Sequence, residues 1–127
     1  MKKPALLFID DSEMMCQFLV QYFGNRYQVH AFQDGNEAWK WLNEGNFPNL
    51  IVLDLKMPTI SGAELLNLFK TSTYFHEIPV IILSSIDKSE ERVKCLEEGA
   101  VDYINKPFNP KELEIRIRFH LQQSTVS

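Results

Sequence analysis

Short β-prone runs recur along this chain, separated by amphipathic segments, and that alternation constrains the fold more than any other feature. The runs cover residues 5–9, 28–32, 50–53, 79–83 and 101–104. Cores such as Leu6-Leu7-Phe8-Ile9, Ile51-Val52-Leu53 and Val80-Ile81-Ile82-Leu83 lack the polar alternation of a strand with one wet face. They are predicted as parallel strands covered on both sides. Between them, Met15, Phe18, Leu19 and Tyr22 follow helical spacing up to Gly24, and Ala38, Trp41 and Leu42 do so up to Gly45. Ser61 and Glu64 form a capping box opening a third helix with Leu65, Leu66 and Phe69. Asp87 with Glu90 is predicted to open a fourth, carrying Val93 and Leu96 and closed by Gly99. Asn109-Pro110 supplies a cap and a first-turn proline for a fifth, with Leu113, Ile117 and Leu121 on one face. The expected architecture is a three-layer, doubly wound (βα)5 α/β fold: a five-stranded parallel sheet with helices on both sides.

A length of 127 residues makes one domain. It is expected over residues 1–122, with a polar tail over 123–127. Thirteen Lys and Arg against seventeen Asp and Glu give a net charge of -4, which disfavours attraction to nucleic-acid phosphates or anionic lipid. The apolar run 5–9 is too short for a signal peptide and stops at two aspartates. No stretch approaches the roughly eighteen apolar residues of a membrane span. A soluble, cytoplasmic protein with no membrane contact is expected. Cys16 and Cys95 lie far apart without a Cys-x-x-Cys, so they read as reduced thiols in helices. His30, His76 and His120 have no partner at catalytic spacing, and Trp39 and Trp41 read as packing residues. No glycine-rich dinucleotide motif or P-loop is present.

In an open α/β sheet the functional groups gather beyond the carboxyl ends of the strands. Those positions are unusually polar here. Asp10 and Asp11 follow the first run, Asp54 the third, Ser84 and Ser85 the fourth, and Asn105, Lys106 and Pro107 the fifth. Three carboxylates at one end of a small sheet repel one another, and a hard divalent cation with oxygen ligands, Mg2+, relieves that repulsion. Three negative charges from the aspartates, two positive from Mg2+ and one from Lys106 sum to zero. An incoming phosphate would not be repelled from such a site.

These residues at these spacings resemble the receiver domain of bacterial two-component response regulators, chemotaxis regulators included, over about residues 6–121. The resemblance rests on Asp10-Asp11, on Asp54-Leu55-Lys56-Met57-Pro58 followed by Gly62, on Ser84, and on Lys106-Pro107-Phe108. It implies a flavodoxin-like strand order 2-1-3-4-5. It also implies a phosphorylation-dependent switch in which Asp54 accepts a phosphoryl group from a sensor histidine kinase or a histidine phosphotransfer protein. The metal would be Mg2+, ligated by Asp11, Asp54 and the backbone carbonyl of Lys56, with Asp10 acting mainly through a bound water. Lys106 would reach a phosphoryl oxygen as a point charge, aimed by a turn at Pro107 after a cis peptide bond. Ser84 would bond the phosphate, making room for the Tyr103 ring to rotate inward and reshape the face of the fourth helix, fifth strand and fifth helix. That face would serve a downstream effector domain or protein, and also a possible homodimer.

Lys56 and Ile86, each two residues beyond a site residue, flank the path of an attacking water and would tune the phosphate lifetime. Ile86 is apolar and cannot orient that water, so slow self-dephosphorylation is expected; the effect of Lys56 is open in sign. Ile115 and Phe119 lie off the main face of the fifth helix, where a broader core contact is favoured over a dimer patch. Two rival classes compete with this reading. A Mg2+-dependent phosphohydrolase with an aspartyl nucleophile would need an acid at position 12, where Ser12 stands. A phosphorylation-independent interaction module conflicts with the presence of Asp11, Asp54 and Lys106 together.

Overall fold

A computed structural model describes residues 2–124. Five parallel strands form one sheet in the order β2-β1-β3-β4-β5. They are β1 (Ala5–Ile9), β2 (Gln28–Phe32), β3 (Leu50–Leu53), β4 (Val80–Ser84) and β5 (Asp102–Asn105), and they alternate with α1 (Glu13–Phe23), α2 (Gly35–Asn43), α3 (Gly62–Thr71), α4 (Ser89–Glu97) and α5 (Pro110–Ser124). This is the expected doubly wound, flavodoxin-like (βα)5 architecture. Successive strand residues point to opposite faces, so each strand feeds two cores. Leu7, Ile9, Ile51, Leu53, Val80 and Ile82 pack with Leu42, Leu65, Leu66 and Phe69 of α2 and α3. Leu6, Phe8, Val52, Ile81 and Leu83 pack with Leu19 and Phe23 of α1 and Leu113 and Ile117 of α5. Trp39 and Trp41 are half-buried against the first core. Among the described residues no helix is long and apolar enough to cross a membrane.

The helix boundaries follow local chemistry. Ser61 caps α3 and Glu64 reaches back to the Ser61 amide, completing the predicted box. Asn109 Oδ1 accepts the amides of Lys111 and Glu112 at the start of α5. Several expectations shift. β4 and β5 each begin one residue later and end one residue later than their apolar runs, because backbone pairing carries them into the polar Ser84 and Asn105. Asp87 does not cap α4: the capping position is Lys88, with no side-chain bond, and Asp87 lies instead 3.9 Å from Arg92. Val93 and Leu96 are exposed, and Cys95 is the buried residue of α4. On α1 the buried set is Cys16, Leu19 and Phe23, while Phe18 and Tyr22 face outward. Ile115 and Phe119 are exposed and do not broaden the core. Both cysteines are free and buried. α5 continues through Ser124, so the segment expected as a tail begins as helix, and residues 125–127 lie outside the described residues.

Candidate functional site

Register assembles the site. Ile9 of β1 is level with Leu53 of β3, so the next residue of each strand, Asp10 and Asp54, emerges at the same height. Backbone bonds from Asp10 N to Phe32 O (3.0 Å) and from Asp54 N to Ile9 O (2.9 Å) continue the ladders one step beyond the strands. Ser84 pairs with Asn105, and the Lys106 amide donates to the Ser84 carbonyl at 2.8 Å, which brings Lys106 in from the far strand. The Lys106–Pro107 peptide bond is cis, as the resemblance implied.

Two of the three acids are buried: Asp10 is 3% and Asp54 6% exposed, whereas Asp11 faces solvent. Lys106 Nζ donates to Asp10 Oδ2 at 2.6 Å and lies 3.7 Å from Asp54 Oδ2. The remaining oxygens are held by backbone: Asp10 Oδ1 accepts the Ser12 amide at 3.0 Å, and Asp54 Oδ1 accepts the Lys56 amide at 3.4 Å. Burial raises the Asp54 pKa above the ordinary carboxylate value; Lys106 counters this and the charge of Asp10 adds to it. One lysine thus serves two buried carboxylates, and the site is short of positive charge. One oxygen from each of Asp10, Asp11 and Asp54 lies within 4.8 Å of the others. An oxygen-only donor set with surplus negative charge fits a hard divalent cation.

Gly62 shapes the floor. A Cβ there would stand 2.2 Å from the Asp54 carbonyl oxygen and 2.6 Å from Leu55 Cα, so only glycine lets α3 start this close beneath the site.

The other predicted residues fall around this centre. Ser84 is fully buried, and its Oγ accepts the Ile86 amide at 3.0 Å. Lys56 is exposed and Ile86 half-buried at the rim. Tyr103 already stands inward, 7% exposed, whereas the resemblance implied that the ring turns inward when Ser84 moves to the phosphate; its hydroxyl donates to the Ile86 carbonyl at 2.8 Å. Two residues without a predicted role join it. Asn105 Nδ2 donates to the same carbonyl at 3.1 Å, and Arg92 of α4 donates to Asn105 Oδ1 at 2.9 Å. The position of Asn105 at a strand end was a signal for the first; an exposed-looking arginine among α4 charges gave none for the second.

Comparison with known proteins agrees with this geometry. The model of the response regulator receiver domain matches residues 6–118, and the chain belongs to that family. It is 40% identical over 117 residues to the phosphate regulon transcriptional regulatory protein PhoB of Klebsiella pneumoniae, covering 89% of this chain and 49% of that protein. It is 33% identical over 115 residues to hybrid signal transduction histidine kinase D of Dictyostelium discoideum, covering 91% of this chain and 7% of that one. The solved structure of the Francisella response regulator 1452 receiver domain superposes with a TM-score of 0.88 at 32% identity, covering 96% of this chain and 99% of that one. The chain spans about half the length of the PhoB relative. It is therefore a receiver domain of the two-component type, a signalling module found both in regulators and in hybrid kinases.

Proposed function

We propose that this domain is a phosphorylation-dependent switch whose acceptor is Asp54. The observation that carries the reading is the arrangement at the strand ends, where a buried Asp54 has Lys106 at 3.7 Å and two further carboxylates within metal-sharing distance. Asp54, Asp11 and the Lys56 carbonyl would hold Mg2+, with Asp10 assisting through a bound water. When bound, Mg2+ supplies charge neutralisation of the phosphoryl oxygens. The chain's own residues do the rest. An Asp54 carboxylate oxygen attacks the phosphorus of a phosphohistidine; the P–N bond breaks and the imidazole leaves with the electron pair. Positioning and charge stabilisation dominate such a transfer. Lys106 is hydrogen-bonded to Asp10, so its ammonium is already aimed across the site toward the phosphoryl oxygens. Ser84 offers a hydroxyl to the new acyl phosphate, and Tyr103 reports its shift to the face formed by α4, β5 and α5.

The donor on this reading is a sensor histidine kinase or phosphotransfer protein, and the recipient of the signal is a downstream effector domain or protein in the cytoplasm. The α4-β5-α5 face would also suit a homodimer, and α5 carries the exposed apolar side chains Ile115 and Phe119. The domain turns over no external substrate, assisting only its own phosphorylation and dephosphorylation. Loss of phosphate would be slow, because Ile86 presents no polar group to an attacking water. Ile86→Glu is expected to shorten the phosphate half-life; a half-life of seconds in the parent, unchanged by that substitution, contradicts this account of the rim.

The test is incubation with acetyl phosphate or beryllofluoride, with and without Mg2+, followed by mass analysis. Mg2+-dependent modification at Asp54, lost in Asp54→Asn, supports the switch. Turnover of many phosphomonoesters would assign a phosphohydrolase instead, and no response at all a phosphorylation-independent module.

A further inference from the structure

The Ile86 carbonyl is an unusually well-held acceptor. It takes the Tyr103 hydroxyl at 2.8 Å and the Asn105 amide at 3.1 Å, while the Ile86 amide is bound to Ser84 Oγ at 3.0 Å. Arg92 donates to Asn105 Oδ1 at 2.9 Å, which orients the amide with Nδ2 toward Ile86. The same guanidinium lies 5.6 Å from the centroid of the Tyr103 ring. Arg92 thus touches both donors to one carbonyl. Its ion pair with Asp87 is long, at 3.9 Å, and Asp87 is 85% exposed, so that contact adds little. Two facts give the arrangement weight. α4 has one buried side chain, Cys95, and no side-chain cap, so its polar tie to β5 is a large part of its attachment. None of these bonds involves Asp10, Asp11, Asp54 or Lys106, and their one tie to the proposed phosphate site is through Ser84 Oγ.

We propose that Arg92 and Asn105 form a latch that holds Tyr103 inward and fastens α4 to β5, setting the resting balance of the switch independently of the acidic site. Arg92 and Asn105 are positioning residues: each acts through Tyr103 and the Ile86 carbonyl. The inference rests on the reading of Tyr103 as the switch residue. Loss of Asn105 leaves the Tyr103 hydroxyl as the remaining side-chain donor to the Ile86 carbonyl, and loss of Arg92 frees the Asn105 amide and takes the cation from the Tyr103 ring; either change moves the population toward the outward ring.

The experiment uses the protein labelled with fluorotyrosine, without Mg2+ or phosphodonor. The Tyr103 fluorine resonance, one of four from tyrosine, is assigned by Tyr103→Phe. In the parent, and equally in Asp54→Asn, Tyr103 is expected to give one solvent-shielded resonance. In Arg92→Ala and Asn105→Ala the inward-to-outward ratio is expected to fall about fivefold, the size of one net hydrogen bond. Val93→Ala, on the exposed side of the same helix, is expected to leave it unmoved. Thermal unfolding of each variant separates a shifted latch from a damaged fold, because a structural role alone lowers the melting temperature without exposing Tyr103. A Tyr103 resonance unchanged in both latch variants, or already exposed in the parent, overturns the proposal. Modification of Asp54, measured separately by mass, distinguishes the two failures: the latch can fail while Asp54 still accepts the group, and Tyr103 can respond to the latch variants in a protein whose Asp54 accepts nothing.

Discussion

α3 and α4 cover the same face of the sheet and follow adjacent strands, yet they are attached in opposite ways. α3 begins with a reciprocal capping box, buries Leu65, Leu66 and Phe69, and starts at a glycine pressed against the Asp54 backbone. α4 has an uncapped start, a first turn carrying Glu90 and Glu91, and only Cys95 buried. The physical lesson is a division of labour. On the switch proposed for Asp54, the helix that supports the floor of the site must not move when charge arrives above it, whereas the helix proposed to report that charge needs a weak hydrophobic hold and bonds that can be exchanged. Low local stability is a requirement for the second.

The contrast is broken most directly by truncating both helices. Leu65→Ala is expected to cost about 3 kcal/mol, as full burial demands, and Leu96→Ala, at 42% exposure, under about 1 kcal/mol. Chemical unfolding of both variants measures this; equal costs would put α4 in the frame with α3. The glycines come next. Gly62→Ala is expected to lose about 1–3 kcal/mol through contact with backbone that has nowhere to go, and to slow modification of Asp54 with it. Gly99→Ala, behind α4 at φ +113°, is expected to cost about 1 kcal/mol of backbone strain and leave Asp54 untouched.

The smallest effect concerns the other neighbour of α4, the β5–α5 pair. Asp102 at the start of β5 is bonded by Arg116 at 2.8 Å and has His120 Nε2 at 2.9 Å, both from α5. Burial disfavours its carboxylate, but Arg116, His120 and the Tyr103 amide outweigh burial and hold the pKa below its ordinary value. A carboxyl depressed in the folded state contributes stability that is present above its unfolded pKa and is lost as pH falls through the folded one. Asp102→Asn should therefore destabilise by under about 1 kcal/mol at neutral pH. That gap should close in acid, below the ordinary carboxylate range, when urea unfolding is repeated there.

Much of the site was legible because strand ends are predictable from β-prone runs: each of Asp10, Asp54 and Ser84 is the first residue after a run and Lys106 the second, and parallel pairing then makes them neighbours. The capping box of α3 was equally plain, since both of its partners are local. What escaped was whatever depends on the rotation of a helix about its axis. α4 has so few apolar residues that Val93 and Leu96 suggested a buried face, while the sheet in fact receives Cys95. Asp87 and Glu90 had the spacing of a cap, but the loop leaves Lys88 at that position. The Arg92–Asn105–Ile86 contacts join three elements whose meeting no local pattern encodes.

The central claim is that charge placed on Asp54 is read by α4 while α3 stays fixed. Amide hydrogen exchange, followed by mass spectrometry with and without Mg2+ and beryllofluoride, tests it peptide by peptide. Exchange is expected to change in the β4–α4 loop, α4 and β5, to stay constant across α3, and to show no response in Asp54→Asn. Equal changes in α3 and α4, or a silent α4 in protein whose Asp54 is demonstrably occupied, would contradict it.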